Sequence, residues 1–98
     1  MFGLNEPVLH DMRLVFAKHG SIKQVKIFGS RAIGNYRSNS DIDVALFGDV
    51  NLQNLANIHQ SLEDLSTPYQ FDVVAYDLIE HPALKEHIDR VGIILELK

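Results

Sequence analysis

Aspartate residues interrupt two of the most apolar segments of this chain, and their positions restrict how those segments can fold. Asp41 and Asp43 stand two residues apart at the start of one apolar run, and Asp72 lies within a second run over residues 70–75. A carboxylate inside an apolar segment costs free energy unless it is paired or binds a cation. The pattern therefore predicts a divalent-cation site that the two segments share.

The rest of the chain alternates between helical and extended patterns. Apolar residues at helical spacing follow the capping residues Asn5 and Asn51, and Pro82 is typical of a first helical turn. The predicted elements are a helix between Asn5 and Gly20, strands over 22–28, 42–47 and 70–75, one helical turn over 30–33, a helix between Asn51 and Ser66, a helix from Pro82 to Gly92, and an extended apolar tail over 93–97. This order predicts an α/β (α+β) fold, a small mixed sheet with helices packed on it, as a single domain over 1–98. The tail either packs on the sheet edge as a short fourth strand or meets a partner.

A loop rich in glycine, serine and arginine separates the first two predicted strands. Gly29 and Ser30 directly follow a strand, where glycine lets the backbone approach a ligand and the turn can present N–H groups to an anion. Arg31 and Arg37 could add positive charge against phosphate oxygens. The alternative interpretation is an ordinary turn with solvated arginines.

The side chains of a strand alternate between its two sides, so Asp41 and Asp43 point the same way. If the second and third strands are neighbours, Asp72 comes level with this pair. Oxygen-only ligands favour Mg²⁺ or Mn²⁺ over Zn²⁺, and a cluster of carboxylates can hold two ions about 4 Å apart for phosphoryl chemistry. The alternative is that these acids simply face solvent at the strand ends.

Several familiar sites are excluded by the sequence. Asn35 and Tyr36 stand where a Walker loop requires Lys and then Ser or Thr, and Ala45 and Leu46 stand where an EF-hand requires a ligand and Gly. The absence of cysteine removes disulfides, thiolate zinc sites and cysteine nucleophiles. The five histidines show no i, i+4 pair and are predicted at the surface or at helix ends; they are His10, His19, His59, His81 and His87.

Charge and hydropathy narrow the classes of function. The formal net charge of −4 argues against a protein that coats nucleic acid, because such proteins carry basic stripes. No apolar run approaches the roughly 20 residues that span a bilayer, and no signal peptide is evident at the start. We therefore expect a cytoplasmic protein that contacts neither membrane nor nucleic acid.

The loop over 29–34 and the segment over 40–45, taken with the later Asp72, resemble the signature of the DNA polymerase β-like nucleotidyltransferase superfamily. The chain length resembles its minimal branch, the MNT type. This resemblance implies that Asp41, Asp43 and Asp72 are catalytic metal ligands for two Mg²⁺ ions, with Mn²⁺ as a substitute. Asp72 would also help to activate the attacking hydroxyl. Gly29 and Ser30 match the turn that holds the nucleotide phosphates.

The same resemblance implies transfer of a nucleoside monophosphate, AMP from ATP, to a hydroxyl acceptor. Minimal members are often antitoxin partners of helical HEPN-domain toxins, so the acceptor is expected on such a partner, for example as a tyrosine hydroxyl. Ile33 departs from the pattern, since many members have a basic residue there, and Arg37 could supply the missing phosphate contact. The alternative is a non-catalytic antitoxin that only covers a partner surface. Whether the chain forms a homodimer stays open.

Overall fold

The computed structural model describes residues 1–97, so that Lys98, the last residue of the predicted domain, lies outside the described residues. The elements in chain order are α1 (Glu6–Ala17), β1 (Ile22–Phe28), α2 (Ser30–Ile33), β2 (Ile42–Gly48), α3 (Leu52–Glu63), β3 (Phe71–Ala75), a 3-10 turn (Tyr76–Leu78), α4 (Pro82–Val91) and β4 (Ile93–Ile94). The predicted α/β class is confirmed, and so are the helical turn after β1 and the short fourth strand. The 3-10 turn after β3 was not predicted.

Four strands form one mixed sheet in the order β3-β2-β1-β4. β1 runs antiparallel to β2 and to β4, whereas β2 and β3 are parallel. A parallel pair requires a long crossover connection, and α3 provides it. The second and third strands are therefore neighbours, which is the condition that the predicted cluster of acids requires.

Helices cover both faces of the sheet. The larger core lies under α1 and α3, and its buried members include Leu9, Met12, Phe16, Val25, Ile27, Ile42, Val44, Leu46, Ile58, Leu62 and Phe71. A smaller core lies under α4 and contains Phe28, Ala45 and Ile88. We refer to this side of the sheet as the α4 face. Because the side chains of β2 alternate between the two faces, Asp43 lies on the α4 face together with Ala45.

Side-chain caps fix where the two long helices begin. The Asn5 side chain accepts a hydrogen bond of 3.1 Å from the Val8 N–H at the start of α1. At α3, Asn51 and Asn54 form a reciprocal capping box, with bonds of 2.8 and 3.4 Å between side chain and backbone. Each cap satisfies N–H groups that have no partner within the helix. No helix within residues 1–97 combines the length and the apolar character needed to cross a membrane.

Candidate active site

Two of the predicted acids lie side by side on neighbouring strands. Asp43 of β2 pairs with Asp72 of β3 in the parallel register. Paired residues of adjacent strands project to the same side, and adjacent strands lie roughly 4.8 Å apart. Both carboxylates therefore leave the sheet on the α4 face as neighbours. Asp41, just before β2, is exposed and lies near enough to act electrostatically on Asp43.

The surroundings of Asp43 change the pKa of its carboxyl group. Its pKa is raised from the ordinary 3.8 to about 6, first by burial and then by the negative charges of Asp72 and Asp41, while the Arg31 guanidinium opposes the rise. A half-buried carboxylate beside two others is unfavourable in its charged form. A bound cation would reverse this effect, because it favours the ionised form of every carboxylate around it.

The acids are adjacent but are not preassembled into a coordination shell. Among residues 1–97, no group of three or more acidic or histidine side chains is arranged so that it could hold a metal ion. Asp41 and Asp72 are exposed, and Asp43 is half-buried. The donor atoms available here are all carboxylate oxygens, which is the chemistry that Mg²⁺ and Mn²⁺ prefer.

Gly29 lies directly against Asp43. Phe28, the last residue of β1, pairs with Asp43, and Gly29 follows with a positive φ of 69°. A Cβ atom added at Gly29 would overlap the carboxylate of Asp43. Glycine is therefore required at this position both by the backbone conformation and by the close approach of the acid. Ser30 then begins α2, where the first backbone N–H groups of a helix have no partner within the helix.

Arg31 is buried against the loop that precedes β2. Its side chain is only 2% exposed, and its three nitrogens donate to backbone carbonyls. Nε and one Nη donate to the Ser40 carbonyl at 3.1 and 2.9 Å, and the other Nη donates to the Phe2 carbonyl at 3.0 Å. The guanidinium also lies 4.8 Å from the ring centroid of Tyr69. These bonds to Phe2 and Ser40 hold the loop just before Asp41. The predicted contact of Arg31 with phosphate stays a prediction.

Arg37, the other arginine of the loop, has a side chain that solvent can reach. Arg37 is exposed, and its backbone N–H donates to the Ser40 hydroxyl at 2.8 Å. The Arg37 side chain thus extends from a closed turn over 37–40. Its predicted contact with phosphate stays a prediction. Ile33, where many MNT-type proteins have a basic residue, is 55% exposed.

A groove lies beside the acids, between α3 and β3. We call this the α3–β3 groove; its volume is about 430 Å³, and its lining includes Asp41, Leu55, His59, Phe71 and Asp72. Its lining thus combines carboxylates with apolar side chains. The groove borders Asp41 and Asp72, whereas Asp43 is not part of its lining.

Two α3 residues that were not predicted as part of the site contact β3 next to Asp72. Glu63 Oε1 accepts a hydrogen bond of 3.0 Å from the Phe71 N–H, and His59 Nε2 lies 2.9 Å from the Phe71 carbonyl oxygen. His59 is exposed, in agreement with its predicted place at the surface or at a helix end, but its contact with β3 was not predicted. A signal was present in the sequence, because His59 and Glu63 have i, i+4 spacing on a helix that leads into the acid-bearing strand.

Comparison with known proteins identifies the family. The family model described as "Polymerase beta, Nucleotidyltransferase" matches residues 11–97. A relative from Methanocaldococcus jannaschii, MJ0435, which carries the provisional name of a protein adenylyltransferase, is 37% identical over 76 residues. That match covers 76% of this chain and 78% of the relative.

Solved structures share the fold. A crystal structure of a toxin–antitoxin with AMP-PNP superposes with a TM-score of 0.75 at 22% identity, covering 95% of this chain and 73% of the other. A mutant of the toxin–antitoxin MntA-HpeT gives a TM-score of 0.72 at 20% identity, with coverage of 95% and 73%. A provisionally named nucleotidyltransferase from Sulfolobus solfataricus gives 0.55 at 20% identity, with coverage of 90% and 76%. The family match over residues 11–97, together with this fold, shows that the chain belongs to the polymerase beta nucleotidyltransferase family and is a minimal nucleotidyltransferase.

Proposed function

We propose that this nucleotidyltransferase moves AMP from ATP to a hydroxyl of a partner protein, and that it acts in this way as the antitoxin of a toxin–antitoxin pair. The observation that carries the proposal is the pairing of Asp43 with Asp72 beside Gly29. The raised pKa of Asp43, which reflects burial and the adjacent negative charges, supports a site that is completed by a cation.

Asp41, Asp43 and Asp72 are the residues that would hold Mg²⁺ or Mn²⁺, in the expected number of two ions. Their oxygen donors fit these ions, and rotation of exposed aspartate side chains would let the carboxylates gather once repulsion is offset. When bound, the ions would stabilise negative charge on the attacking and leaving oxygens. Gly29 leaves space for the Asp43 carboxylate to take part.

The reaction follows from the chemistry of nucleoside triphosphates. The acceptor oxygen forms a bond to the α-phosphorus of ATP, and the bond from that phosphorus to the bridging oxygen breaks. Pyrophosphate leaves with the electron pair, and the hydroxyl proton passes to Asp72. Gly29, Ser30 and the exposed Arg37 would contact the phosphates, whereas Arg31 would hold the loop that carries Asp41.

The descriptions of similar proteins support a toxin as the partner of this chain. One similar structure is a toxin–antitoxin with AMP-PNP, and the M. jannaschii relative is named for transfer of adenylate to protein. We propose a helical HEPN-domain toxin as the partner, with a tyrosine hydroxyl as the acceptor. The α3–β3 groove would admit the acceptor side chain to the acids.

The decisive experiment replaces both Asp41 and Asp43 by Asn and follows labelled adenylate from ATP to the co-purified partner protein. We expect Mg²⁺-dependent labelling by the wild type and none by the double variant, because two proposed cation ligands are lost. Asp49→Asn serves as the matched control, since this exposed acid follows the opposite end of β2. Equal labelling by the double variant and the wild type would refute the proposal.

A second candidate function is a non-catalytic antitoxin that neutralises its partner by surface contact. The observation that favours it is that no metal-holding group is preassembled among residues 1–97. The two candidates differ in whether a ligand binds the folded chain. Mg²⁺ with ATP should raise the melting temperature if the site binds them. An unchanged melting temperature at millimolar ligand would favour the non-catalytic function.

A further inference from the structure

β3 is an outer strand of the sheet, and Asp72 therefore depends on a strand with a neighbour on one side only. The Ile42 N–H of β2 donates to the Gln70 carbonyl at 2.9 Å, immediately before β3. The next residue, Phe71, directs both of its backbone polar groups to side chains of α3. Those two contacts hold the strand at the residue directly before Asp72.

The two α3 side chains form a closed set of contacts, which we call the Phe71 clip. The Phe71 N–H donates to Glu63 Oε1 at 3.0 Å. A carbonyl oxygen only accepts hydrogen bonds, so His59 Nε2 must carry a hydrogen that it donates to the Phe71 carbonyl at 2.9 Å. His59 Nε2 also lies 3.4 Å from Glu63 Oε1, so each side chain fixes the other.

We propose that the Phe71 clip, formed by His59 and Glu63, positions the Asp72 carboxylate relative to Asp43. This inference rests on the proposed function, because Asp72 is taken there as a cation ligand. β3 has only five residues. If the clip were lost, water would form hydrogen bonds with the backbone N–H and carbonyl of Phe71. An edge strand held on one side opens more easily, and a misplacement of about 1 Å at a reacting group can cost about 100-fold in rate.

The clip acts through the backbone and therefore makes His59 and Glu63 positioning residues. Groups one step removed from metal ligands typically change metal affinity or activity by about 10–100-fold when they are lost. A residue that only stabilised the fold would instead lower the melting temperature without changing cation affinity in the remaining folded protein. These two expectations separate the proposal from a general role in stability.

The test compares Glu63→Ala with Glu63→Gln, whose amide oxygen still accepts from the Phe71 N–H. We expect Glu63→Ala to bind Mn²⁺, titrated without nucleotide, about tenfold more weakly and to lower kcat for adenylate transfer about tenfold. KM for ATP should change less than about twofold. Glu63→Gln should restore both quantities to within about threefold of the wild type.

Two further variants serve as controls. Glu86→Ala removes the i, i+4 partner of Arg90 in a surface pair of the same kind on a different helix, α4, and should leave all readouts unchanged. Ile58→Val trims the buried face of α3 and lowers stability without touching the clip. A loss of Mn²⁺ affinity in Ile58→Val equal to that in Glu63→Ala would overturn the proposal.

A crystal structure of Glu63→Ala decides the inference independently of activity. A shift of the backbone at Phe71 and Asp72 relative to β2 would support the clip, whereas an unmoved backbone with wild-type Mn²⁺ affinity would overturn it. If the wild type transfers no adenylate, the proposed function fails. The position of Asp72 in the variant crystal still decides whether the clip holds it.

Discussion

At the scale of single residues, Asp43 carries the electrostatic cost of the candidate site. It is half-buried, it lies beside Asp72, and its pKa of about 6 reflects burial and the neighbouring carboxylates. Between pH 4 and pH 6 the unfolded chain releases the Asp43 proton before the folded chain does. The free energy of unfolding therefore falls as pH rises through this interval, and above pH 6 the full cost is present.

Asp43→Asn should therefore stabilise the protein at neutral pH in the absence of divalent cations. We expect the free energy of unfolding at pH 7.5 to rise by roughly 1–2 kcal/mol, after allowance for solvent screening. The gain should become small at about pH 3 and below, where Asp43 is mostly protonated in both states. Urea unfolding with EDTA at both pH values measures the effect. A variant less stable than wild type at pH 7.5 would contradict the assigned cause.

At the scale of elements, the loop from α2 to β2 depends on one buried arginine. Arg31 joins the carbonyls of Phe2 and Ser40, so that it connects the start of the described chain to the residue before Asp41. Loss of a buried group leaves its partners without hydrogen bonds and costs more than loss of an exposed one. Arg31 and Arg37 belong to one loop but differ in this respect.

Arg31→Ala should lower the free energy of unfolding by about 3 kcal/mol, because the carbonyls of Phe2 and Ser40 lose their three guanidinium donors together. Arg37→Ala is the matched control, and its change should stay within about 0.5 kcal/mol because that side chain is exposed. Thermal or urea unfolding measures both. Equal stability of the two variants would show that Arg31 does not hold the loop.

The elements themselves follow from local patterns. Apolar spacing and the caps Asn5 and Asn51 predict α1 and α3, and alternation predicts β1 without error at either end. These features depend on neighbours in sequence, which a single chain displays. The parallel pairing of β2 with β3 could not be predicted from these patterns, because strand order depends on contacts between residues that are distant in sequence.

The parts of the site that escaped prediction are those that depend on tertiary contacts. An arginine next to glycine and serine residues is typically exposed, whereas the burial of Arg31 arises largely from Phe2 and Tyr69, which are remote in sequence. The roles of His59 and Glu63 likewise require β3 to lie beside α3. The i, i+4 spacing of His59 and Glu63 indicates only that the two side chains share a helix face, and local patterns do not show what that face contacts.

At the scale of the whole molecule, the larger apolar core and the acids lie on opposite faces of the sheet. Alternate β2 residues, such as Ile42 and Val44, pack under α1 and α3, while Asp43 projects toward the α4 face. The same alternation in β3 separates Phe71 from Asp72. The apolar core thereby fixes the register, since a slip of one residue would bury the acids.

The double variant Asp43→Asn with Asp72→Asn should therefore fold fully, with a melting temperature at least equal to that of the wild type, because repulsion is removed and the core is untouched. It should transfer no adenylate to the partner. Circular dichroism and the labelling assay measure the two outcomes, and unfolding of the variant would show that the acids contribute to the core.

The register of β2 and β3 has a practical consequence. If apolar packing alone determines the fold, replacing Asp43 and Asp72 by Asn gives an inactive variant of the nucleotidyltransferase that is still folded. If the proposed transfer holds, such a variant would still bind the acceptor protein but would not modify it. It would thereby offer a stable bait for isolating that acceptor.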